Sequence, residues 1–421
     1  MRKVKFGVVG LGDRGYGLLR DVLVKMDEVE VVAVCDVFED RVQQAIALVE
    51  KEKGNTPVGY VKHEDLLSDD NVEAVFVATG WQTHNEVAIC AMEKKKAVAL
   101  EVGGAFDVKE LWDLVDVYER TKTPIMMLEN CCFNWSEMMA TAMARDGVFG
   151  DIVHCSGAYG HDLRWLLATA WKNRNYRLDN YLKRNCENYP THELGPIAKL
   201  LDINRGNRMV SLVSVASRAA GLEEYIKNHP EIDEDTQGLK IKQGDVVNTI
   251  ITCANGETIA LRLDTTLPRY YSRAFTVHGT KGLYEQDWNM VFLDGDSEAE
   301  LNNGGRGHTS ERLNNAEKYE EKYLPRYWKT ITDEVRASGH GGIDRLTFMT
   351  FIDALVNGKE MPIDVYDIAA WMSVSVLSEQ SIALGGAPQI IPDFTRGKWM
   401  TRPRLDVIDF ELELKESEGK N

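Results

Sequence analysis

The 421-residue sequence has no long apolar run, no excess of basic charge and few cysteines. No stretch reaches the roughly 18 consecutive apolar residues that a membrane span needs. With 66 acidic against 49 basic residues, the formal net charge is -17. A nucleic-acid or anionic-membrane partner would require a basic surface. We therefore expect a small-molecule partner, with no nucleic acid and no membrane.

The cysteines also limit the class of protein. There are seven, an odd number, and no C-x-x-C pair is present, although Cys131 and Cys132 are adjacent. This pattern favours reduced thiols in the cytoplasm over a disulfide framework, and its spacing gives no zinc site. The first residues show no cleavage signal of a secreted protein. We predict a cytoplasmic protein without a bound metal, in which Cys131 and Cys132 lie in the core.

A glycine-rich motif follows the first apolar run, in the sequence KVKFGVVGLGDRGYG. In this G-x-G-x-x-G pattern, Gly10 allows a tight turn, Gly12 lets the backbone approach a pyrophosphate, and Gly15 lets strand and helix pack closely. Asp13 and Arg14 stand at the start of the predicted helix, whose free N–H groups would face the phosphates. The motif predicts a dinucleotide site.

The next apolar run supports this prediction because it ends in Asp36. A carboxylate at that place accepts the ribose hydroxyls and repels a 2'-phosphate, which favours NAD over NADP. Arg41 is a contrary signal, since an arginine after this strand can receive that phosphate. The alternative is a tight strand–helix turn followed by a surface aspartate. Further apolar runs at 72–80, 95–103 and 123–130 predict a doubly wound parallel sheet, an NAD-binding Rossmann domain over residues 1–130.

The rest of the chain predicts a second domain, because 421 residues exceed the usual single domain. Alternating runs separated by Asn-Gly and Gly turns predict an α+β domain over residues 131–421 with a largely antiparallel, open sheet. We expect a polar loop at 165–188, a helix that begins at Thr191, and a late helix at 363–386 that is ended by glycines. The charged segment 295–342 has no apolar stripe, which predicts a surface insertion or lid.

Residues 1–130 resemble the glucose–fructose oxidoreductase and inositol dehydrogenase (Gfo/Idh/MocA) family. The resemblance lies in GLGDRG, in Asp36, in the segment ATGWQTHNEVAICAMEKKKAVALEV that contains His84, and in Glu101. It implies NAD(P) binding in a Rossmann domain and a sheet-bearing C-terminal domain. Dehydrogenases of that family have Glu-Lys-Pro here, with the lysine near the reacting hydroxyl. This chain has Glu101-Val102-Gly103, and a valine cannot take the alcohol proton.

A second resemblance covers nearly the whole chain. YPTHELGP at 189–196 with INRG at 203–206 looks like the NAD-dependent α-N-acetylgalactosaminidases of glycoside hydrolase family 109. The same resemblance extends to further segments, which are EVGGA, MLENCC, HDLR, TTLPRYYSR, GHGGID, VYD and IPDF. It implies that NAD oxidises the sugar at C3, that a base removes the C2 proton and the C1 substituent leaves, and that water addition and hydride return complete the cycle.

The resemblance also implies roles for single residues. His192 would transfer the proton of the C3 oxygen, because a neutral imidazole suits a proton that leaves and returns. The other catalytic residues that the resemblance implies are Tyr189, which would hold sugar hydroxyls, and Glu101, which would lie near the nicotinamide or the sugar. The residues implied in sugar binding are Arg177, Tyr271 and His161, and those implied in cofactor binding are Gly10, Gly12, Asp13, Arg14, Gly15, Asp36, His84 and Glu101.

Each of these residues also fits a purely structural role. His192 suits a helix start that the backbone satisfies, and Glu101 suits a cap of the following helix. Arg177 and Tyr189 suit an ordinary loop. Tyr271 suits packing on a sheet face, and His84 suits the interior as well as a ribose contact.

The chain departs from family 109 at two positions. Phe133 stands where the family usually has a tyrosine that could remove the C2 proton, and Glu193 replaces the usual glycine after the histidine. Two enzyme hypotheses follow. The first is a glycosidase that works by transient C3 oxidation, which the missing Glu-Lys-Pro lysine favours. The second is a sugar or glycoside 3-dehydrogenase, which Phe133 favours. A nonenzymatic NAD-binding regulator is the third. For any of them we expect a homodimer or homotetramer.

Overall fold

The computed structural model describes residues 2–295 and 313–418. The chain forms two compact units. Unit 1 consists of the residues up to Asn130 together with Ile331–Ser373, and unit 2 consists of Cys131–Thr330 together with the residues from Val374 onward. Unit 1 thus includes a segment from the C-terminal third of the sequence. Among the described helices, none has both the length and the apolar character of a membrane span.

Unit 1 is built on a six-stranded sheet in the order β3-β2-β1-β4-β5-β6. All five strand pairs are parallel. Two of the inner strands are short runs of Val, Ala, Phe and Leu buried on both faces, as expected when helices cover both sides of a parallel sheet. The strands are β1 (Val4–Val9), β2 (Val29–Cys35), β3 (Val58–Tyr60), β4 (Ala74–Val77), β5 (Ala97–Leu100) and β6 (Ile125–Met127).

Unit 2 is built on an eight-stranded sheet in the order β13-β12-β11-β7-β10-β9-β8-β14. Only the β7–β10 pair is parallel, and the described ladders on either side of it are antiparallel. The strands are β7 (Ile152–Gly160), β8 (Met209–Ala216), β9 (Val246–Cys253), β10 (Thr258–Asp264), β11 (Thr276–Gly279), β12 (Gly282–Glu285), β13 (Met290–Leu293) and β14 (Gln389–Ile390).

The α-helices are numbered here along the chain through both units. They are α1 (Asp13–Asp21), α2 (Glu39–Lys53), α3 (His63–Leu67), α4 (Trp81–Glu93), α5 (Val108–Thr121), α6 (Trp135–Arg145), α7 (Arg164–Ala168), α8 (Arg177–Lys183), α9 (Thr191–Leu200), α10 (Gly221–Asn228), α11 (Glu320–Tyr323), α12 (Arg326–Thr330), α13 (Asp333–Arg336), α14 (Ile343–Asn357), α15 (Val365–Ala383) and α16 (Phe410–Glu418).

The fold class predicted from the sequence is confirmed: a doubly wound parallel sheet precedes an α+β part with a mostly antiparallel sheet. The late helix is also confirmed as α15, which Gly385 and Gly386 follow with positive φ angles. Cys131 and Cys132 lie in the core, with exposed fractions of 2% and 4%.

Two local predictions are wrong. The expected loop at 165–188 contains most of α7 and all of α8. Both helices are short and lack a side-chain cap, so their residues carry no capping pattern from which a helix could be predicted. Within the expected surface insertion, Tyr323 and Trp328 are buried, and the Trp328 indole donates to the Phe133 carbonyl at 3.1 Å. Two isolated aromatic residues make no periodic stripe, which is why this packing was missed. Residues 296–312 of the predicted insertion lie outside the described residues.

Candidate active site

The glycine-rich turn of unit 1 joins β1 to α1 with almost no spare room. Gly10 has a φ of +95°, and a Cβ atom there would lie 2.6 Å from the Ala78 backbone. A Cβ atom on Gly15 would lie 2.0 Å from the Gly10 carbonyl oxygen. Gly12 differs, because a Cβ atom there would meet only Arg41, at 3.7 Å. Gly10 and Gly15 thus serve close packing, while the turn stays open above Gly12.

Asp36 lies directly beside this turn. Its carboxylate accepts hydrogen bonds from the backbone N–H groups of Leu11 at 2.7 Å and Phe38 at 3.0 Å. The Arg41 guanidinium lies 3.6 Å from the same carboxylate. The Asp36 carboxylate thus neutralises the charge of Arg41, and it stands at the place where a 2'-phosphate would bind. Arg41 is therefore already paired with an anion of the protein. The pair of charges fits NAD better than NADP.

His84 and Glu101 stand at the C-terminal edge of the same sheet, where ligands of open α/β sheets bind. His84 Nε2 donates to the Glu101 carbonyl at 2.6 Å, so Nδ1 accepts from the Thr79 hydroxyl at 3.3 Å. His84 is fully enclosed, and this burial lowers the pKa of its imidazole. The Glu101 carboxylate does not cap α5, because Asp107 accepts from Glu110 N at 2.7 Å as the helix cap.

Arg14 joins the glycine-rich turn to two carboxylates of unit 1. Its Nε donates to Glu101 at 2.9 Å, and its two terminal nitrogens donate to Asp344 at 3.1 and 2.9 Å. Asp344 also accepts from the Asn130 amide at 2.7 Å and contacts His340 Nδ1 at 2.8 Å. Burial would raise the pKa of Asp344, but Arg14 and His340 outweigh it and hold the pKa well below its ordinary value. Asp13, by contrast, is exposed in the first turn of α1.

This arrangement fits a dinucleotide. The open backbone above Gly12 lies at the N-terminus of α1, which has no side-chain cap, so its N–H groups are available to a pyrophosphate. Asp36 lies directly after β2 for the ribose, Glu101 lies directly after β5, and His84 lies near the start of α4, which follows β4. Together these residues would hold the phosphates, the ribose and the region of the nicotinamide.

The second group of site residues lies in unit 2 around Tyr159, near the end of β7. We call it the ring cluster, and its members are Tyr159, His161, Arg177, Tyr189, His192 and Tyr271. Tyr159 lies with its ring centroid 4.5 Å from that of Tyr189 and 5.5 Å from that of His192. The rings of Tyr189 and His192 are 4.8 Å apart and nearly perpendicular. His192 is half-buried in the first turn of α9, which begins at Thr191 as predicted.

His161 extends the ring cluster toward Tyr271. The Tyr159 hydroxyl and His161 Nδ1 are 3.2 Å apart and share a hydrogen bond. The His161 and Tyr271 rings are 5.1 Å apart in an edge-to-face contact. Tyr271 is 48% exposed, and burial of its remaining surface raises the pKa of its phenol. Its hydroxyl accepts from Arg273 at 3.3 Å.

Arg273 in turn forms an ion pair with Glu137, which lies near the start of α6. Arg273 Nε donates to the Glu137 carboxylate at 2.6 Å, and Ser136 and Gln286 also donate to Glu137. Burial would raise the pKa of Glu137, but Arg273 and these hydrogen bonds lower it overall. The network fixes the side chain that contacts Tyr271.

Arg177 and Phe133 are two further residues of unit 2 that the sequence analysis singled out. Arg177 stacks over the Tyr189 ring, with its guanidinium carbon 4.8 Å from the ring centroid. Phe133 is fully buried, and its side chain has no polar atom that could take a proton. The residues that sequence reasoning missed are Tyr159, Arg273 and Glu137 in unit 2 and Asp344 in unit 1. The GHGGID motif pointed to Asp344, but only the fold shows that it binds Arg14.

Two family models match the chain. One is described as "Oxidoreductase family, NAD-binding Rossmann fold" and matches residues 4–128. The other is described as "Glycosyl hydrolase 109, C-terminal domain" and matches residues 133–401. Among solved structures, levoglucosan dehydrogenase in complex with NADH and levoglucosan has a TM-score of 0.70 at 16% identity, over 93% of this chain and 100% of that chain. Scyllo-inositol dehydrogenase from Lactobacillus casei has a TM-score of 0.64 at 12% identity, over 92% and 99%. These two show the shared fold.

Sequence relatives match over almost the full length. A glycosyl hydrolase family 109 protein of Stenotrophomonas maltophilia (strain K279a) is 36% identical over 97% of this chain and 92% of that protein. An alpha-N-acetylgalactosaminidase of Tannerella forsythia is 34% identical over 95% of this chain and 88% of that protein. The chain therefore belongs to glycosyl hydrolase family 109, and with its NAD-binding Rossmann domain it is an NAD-dependent enzyme.

Proposed function

We propose that this enzyme hydrolyses glycosides by transient oxidation of the sugar at C3, with unit 1 holding the cofactor and the ring cluster of unit 2 holding the sugar. The observation that supports this most is the composition of the ring cluster, which consists of two imidazoles, three phenols and one guanidinium. Direct displacement at a glycosidic bond uses two carboxyl groups. Imidazole and phenol groups instead suit proton transfer beside a ketone.

NAD, which the glycine-rich turn, Asp36 and the residues around Glu101 would hold, would supply hydride transfer at the C3 carbon in both directions. His192 takes the proton of the C3 hydroxyl and later gives it back, because it is half-buried on a fixed helix start. Arg177 and Tyr189 hold the neighbouring sugar hydroxyls. Tyr271, which Arg273 positions, binds the outer side of the sugar.

Removal of the C2 proton needs a second base, and Phe133 cannot act as one. We assign this step to Tyr159 with His161, because their hydrogen bond of 3.2 Å lets the imidazole accept the phenol proton. Tyr159 is also in ring contact with both Tyr189 and His192. Tyr159→Phe should abolish exchange of the C2 proton with D2O while C3 oxidation persists. Unchanged exchange in this variant would remove Tyr159 from the mechanism.

The first substrate to test is a nitrophenyl α-N-acetylgalactosaminide, because the Tannerella forsythia relative is named for that activity. Purified enzyme should release nitrophenol without added NAD, and the C2 hydrogen of the released sugar should come from solvent. Related nitrophenyl hexosides provide the comparison series. Stoichiometric NADH with no nitrophenol in any of them would contradict the glycosidase.

That outcome would support the second candidate, a sugar or glycoside 3-dehydrogenase. The buried Phe133 favours it, since oxidation alone needs no C2 base. Val102 opposes it, because this buried valine offers no proton acceptor at the place of the dehydrogenase lysine.

We also propose a cytoplasmic homo-oligomer that forms through the open face of the unit 2 sheet. The seven cysteines are free thiols, as suits a reducing compartment. Val213 and Ile250 are paired neighbours on β8 and β9, and both are substantially exposed, as is Val215. Such an apolar face suits a second copy of the chain. Val213→Lys with Ile250→Lys should give a monomer in sedimentation analysis, and an unchanged mass would refute this interface.

A further inference from the structure

Two carboxyl groups lie beneath the first turn of α9, on either side of the proposed acid–base residue. Glu187 precedes Tyr189 by two residues, and Glu193 directly follows His192. The exposed fractions are 0% for Glu187 and 1% for Glu193. Acidic side chains are almost never buried to this extent without a partner of opposite charge. The proposed mechanism uses neither group.

The two carboxyl groups lie within hydrogen-bonding reach of each other. Glu193 Oε2 accepts from the backbone N–H of Arg262, in the middle of β10, at 3.1 Å. Glu193 Oε1 and both carboxyl oxygens of Glu187 are buried without a well-oriented donor among the described residues. No lysine, arginine or histidine side chain in the described part of the chain forms an ion pair with either group.

Two adjacent carboxylates cannot both be charged here, because each would be a buried anion next to a like charge. Retaining at least one proton removes the repulsion and supplies a donor for an orphaned oxygen, so that the two carboxyl groups can share a hydrogen bond. Burial, followed by the neighbouring carboxyl, raises the pKa of Glu187 well above its ordinary value. Burial also raises the pKa of Glu193, to about 8.

We propose that Glu187 and Glu193 are a positioning pair, whose proton-sharing hydrogen bond joins the two ends of the segment 188–192 and thereby fixes Tyr189 and His192. The inference rests on the proposed function of His192. Both ends of the segment are also anchored independently. The Glu187 N–H donates to Ser378 Oγ on α15 at 2.9 Å, and Glu193 is bound to β10 through Arg262.

Within residues 2–295 and 313–418, no neighbouring cation is available to neutralise the two carboxylates once the shared proton is lost. The charged and titratable groups near the pair include Cys186 beside Glu187, Arg262 on β10, Arg184 and Tyr181 at α8, Glu379 on α15, His192 on α9, Tyr159 on β7, Asp264 on β10 and Lys242. Of these, Asp264 is paired with Arg269 at 2.7 Å, and Arg184 with Glu379 at 2.7 Å. Glu187, whose pKa is raised further by the charge on Glu193, keeps the shared proton after Glu193 has ionised. Only when this last proton is lost, at higher pH, does the pair become two buried like charges, and the connection should then open.

The kinetic test compares the wild type with Glu187→Gln/Glu193→Gln, in which two amides keep the shape and one hydrogen bond but do not ionise. The wild-type kcat for the nitrophenyl glycoside should fall about tenfold per pH unit once the shared proton is lost, on the alkaline side of pH 8, as expected for one ionisation. The double glutamine variant should keep its pH 7 value up to pH 9.5. Glu187→Ala/Glu193→Ala should lower kcat at every pH, with NAD affinity unchanged.

A second measurement detects the pair without any assay of activity. Because folding raises the pKa of these carboxyls, the pair stabilises the fold fully below pH 4.3 or so, and this contribution is lost as the pH rises toward 8. The Tm of the double glutamine variant should therefore rise relative to the wild type between about pH 5 and 8. Glu224→Gln/Glu231→Gln, two exposed carboxylates in the same unit, controls for the change in net charge.

The outcomes separate the two proposals. Superimposable Tm profiles of the wild type and the double glutamine variant would overturn the pair. A difference in Tm with identical kcat profiles would overturn its positioning role. If the Tm profiles differ while the wild type cleaves no glycoside, the proposed function fails and the shared proton stands.

Discussion

Asp344→Asn tests whether the ion pair with Arg14 holds the cofactor turn in shape. Asp344 is 2% exposed, and four hydrogen-bonding contacts converge on its carboxylate from Arg14, Asn130 and His340. Removing one partner of a buried ion pair costs about 3–5 kcal/mol. The Arg14 side chain is 35% exposed, so water can compensate part of the loss. We therefore expect a destabilisation of about 2 kcal/mol.

For a cooperative unit of about 150–250 residues, 2 kcal/mol corresponds to a fall in Tm of roughly 4–8 °C. The binding free energy of NAD should fall by about 1.4 kcal/mol if this share of the destabilisation falls on the glycine-rich turn. NAD should then bind about tenfold more weakly. Thermal unfolding and isothermal titration with NAD measure the two effects. The matched control is Asp353→Asn on the same helix, α14, where an exposed carboxylate pairs with Lys359 at 2.7 Å. An exposed pair contributes at most about 1 kcal/mol.

The pH dependence gives an independent check. The pKa of Asp344 is below its ordinary value in the folded chain, so its contribution to stability is present above the unfolded pKa and is lost as the pH falls. The Tm difference between wild type and Asp344→Asn should stay constant from pH 8 to 5 and narrow only below about pH 4. An unchanged Tm together with an unchanged NAD affinity would refute the role of this ion pair.

Three further substitutions test the remaining assignments. His192→Ala should lower turnover by roughly two to four powers of ten with NAD affinity intact, and normal turnover would exclude it from proton transfer. Asp36→Asn should weaken NAD by roughly tenfold and relax discrimination against NADP, as measured by the ratio of the two dissociation constants. Glu137→Gln should release Arg273 from Tyr271 and raise KM for the glycoside about fivefold at unchanged NAD affinity. A KM equal to that of the wild type would show that this network does not position Tyr271.

The turn at residues 10–15 could be predicted because its requirements are local. Gly10 needs a positive φ and Gly15 needs the absence of a Cβ atom, and both follow from spacing after an apolar strand. The strand β3, by contrast, was not predicted. It has three residues at the edge of the sheet, and Val58 is 50% exposed. The segment therefore lacks the run of apolar residues from which a buried strand is predicted.

The partners of charged residues could not be predicted in the same way. Arg14 was predicted only as a cofactor-binding residue, and the fold pairs its side chain with Asp344, which is separated from it by 330 residues. Glu137 and Arg273 are likewise far apart in sequence. Each is a charged residue of a type that usually lies at the surface, so its type alone does not indicate a buried ion pair. Such pairs form only where the fold brings distant segments of the chain together. The periodicity of a single sequence reports local secondary structure and does not report these long-range contacts.

The position of His192 follows from backbone packing in unit 2. Helix α9 lies so close to β7 that a Cβ atom on Gly157 would be 2.7 Å from the Glu193 carbonyl oxygen. Only glycine fits there, and Tyr159 lies two residues further along the same strand. The helix start with His192 and the strand end with Tyr159 are therefore held at a fixed separation by main chain. A side chain as large as Glu193 is accommodated after His192 because its carboxyl points beneath the helix, toward Arg262 and Glu187. The same residue that departs from the usual family motif is thus the one that connects the helix start to the sheet.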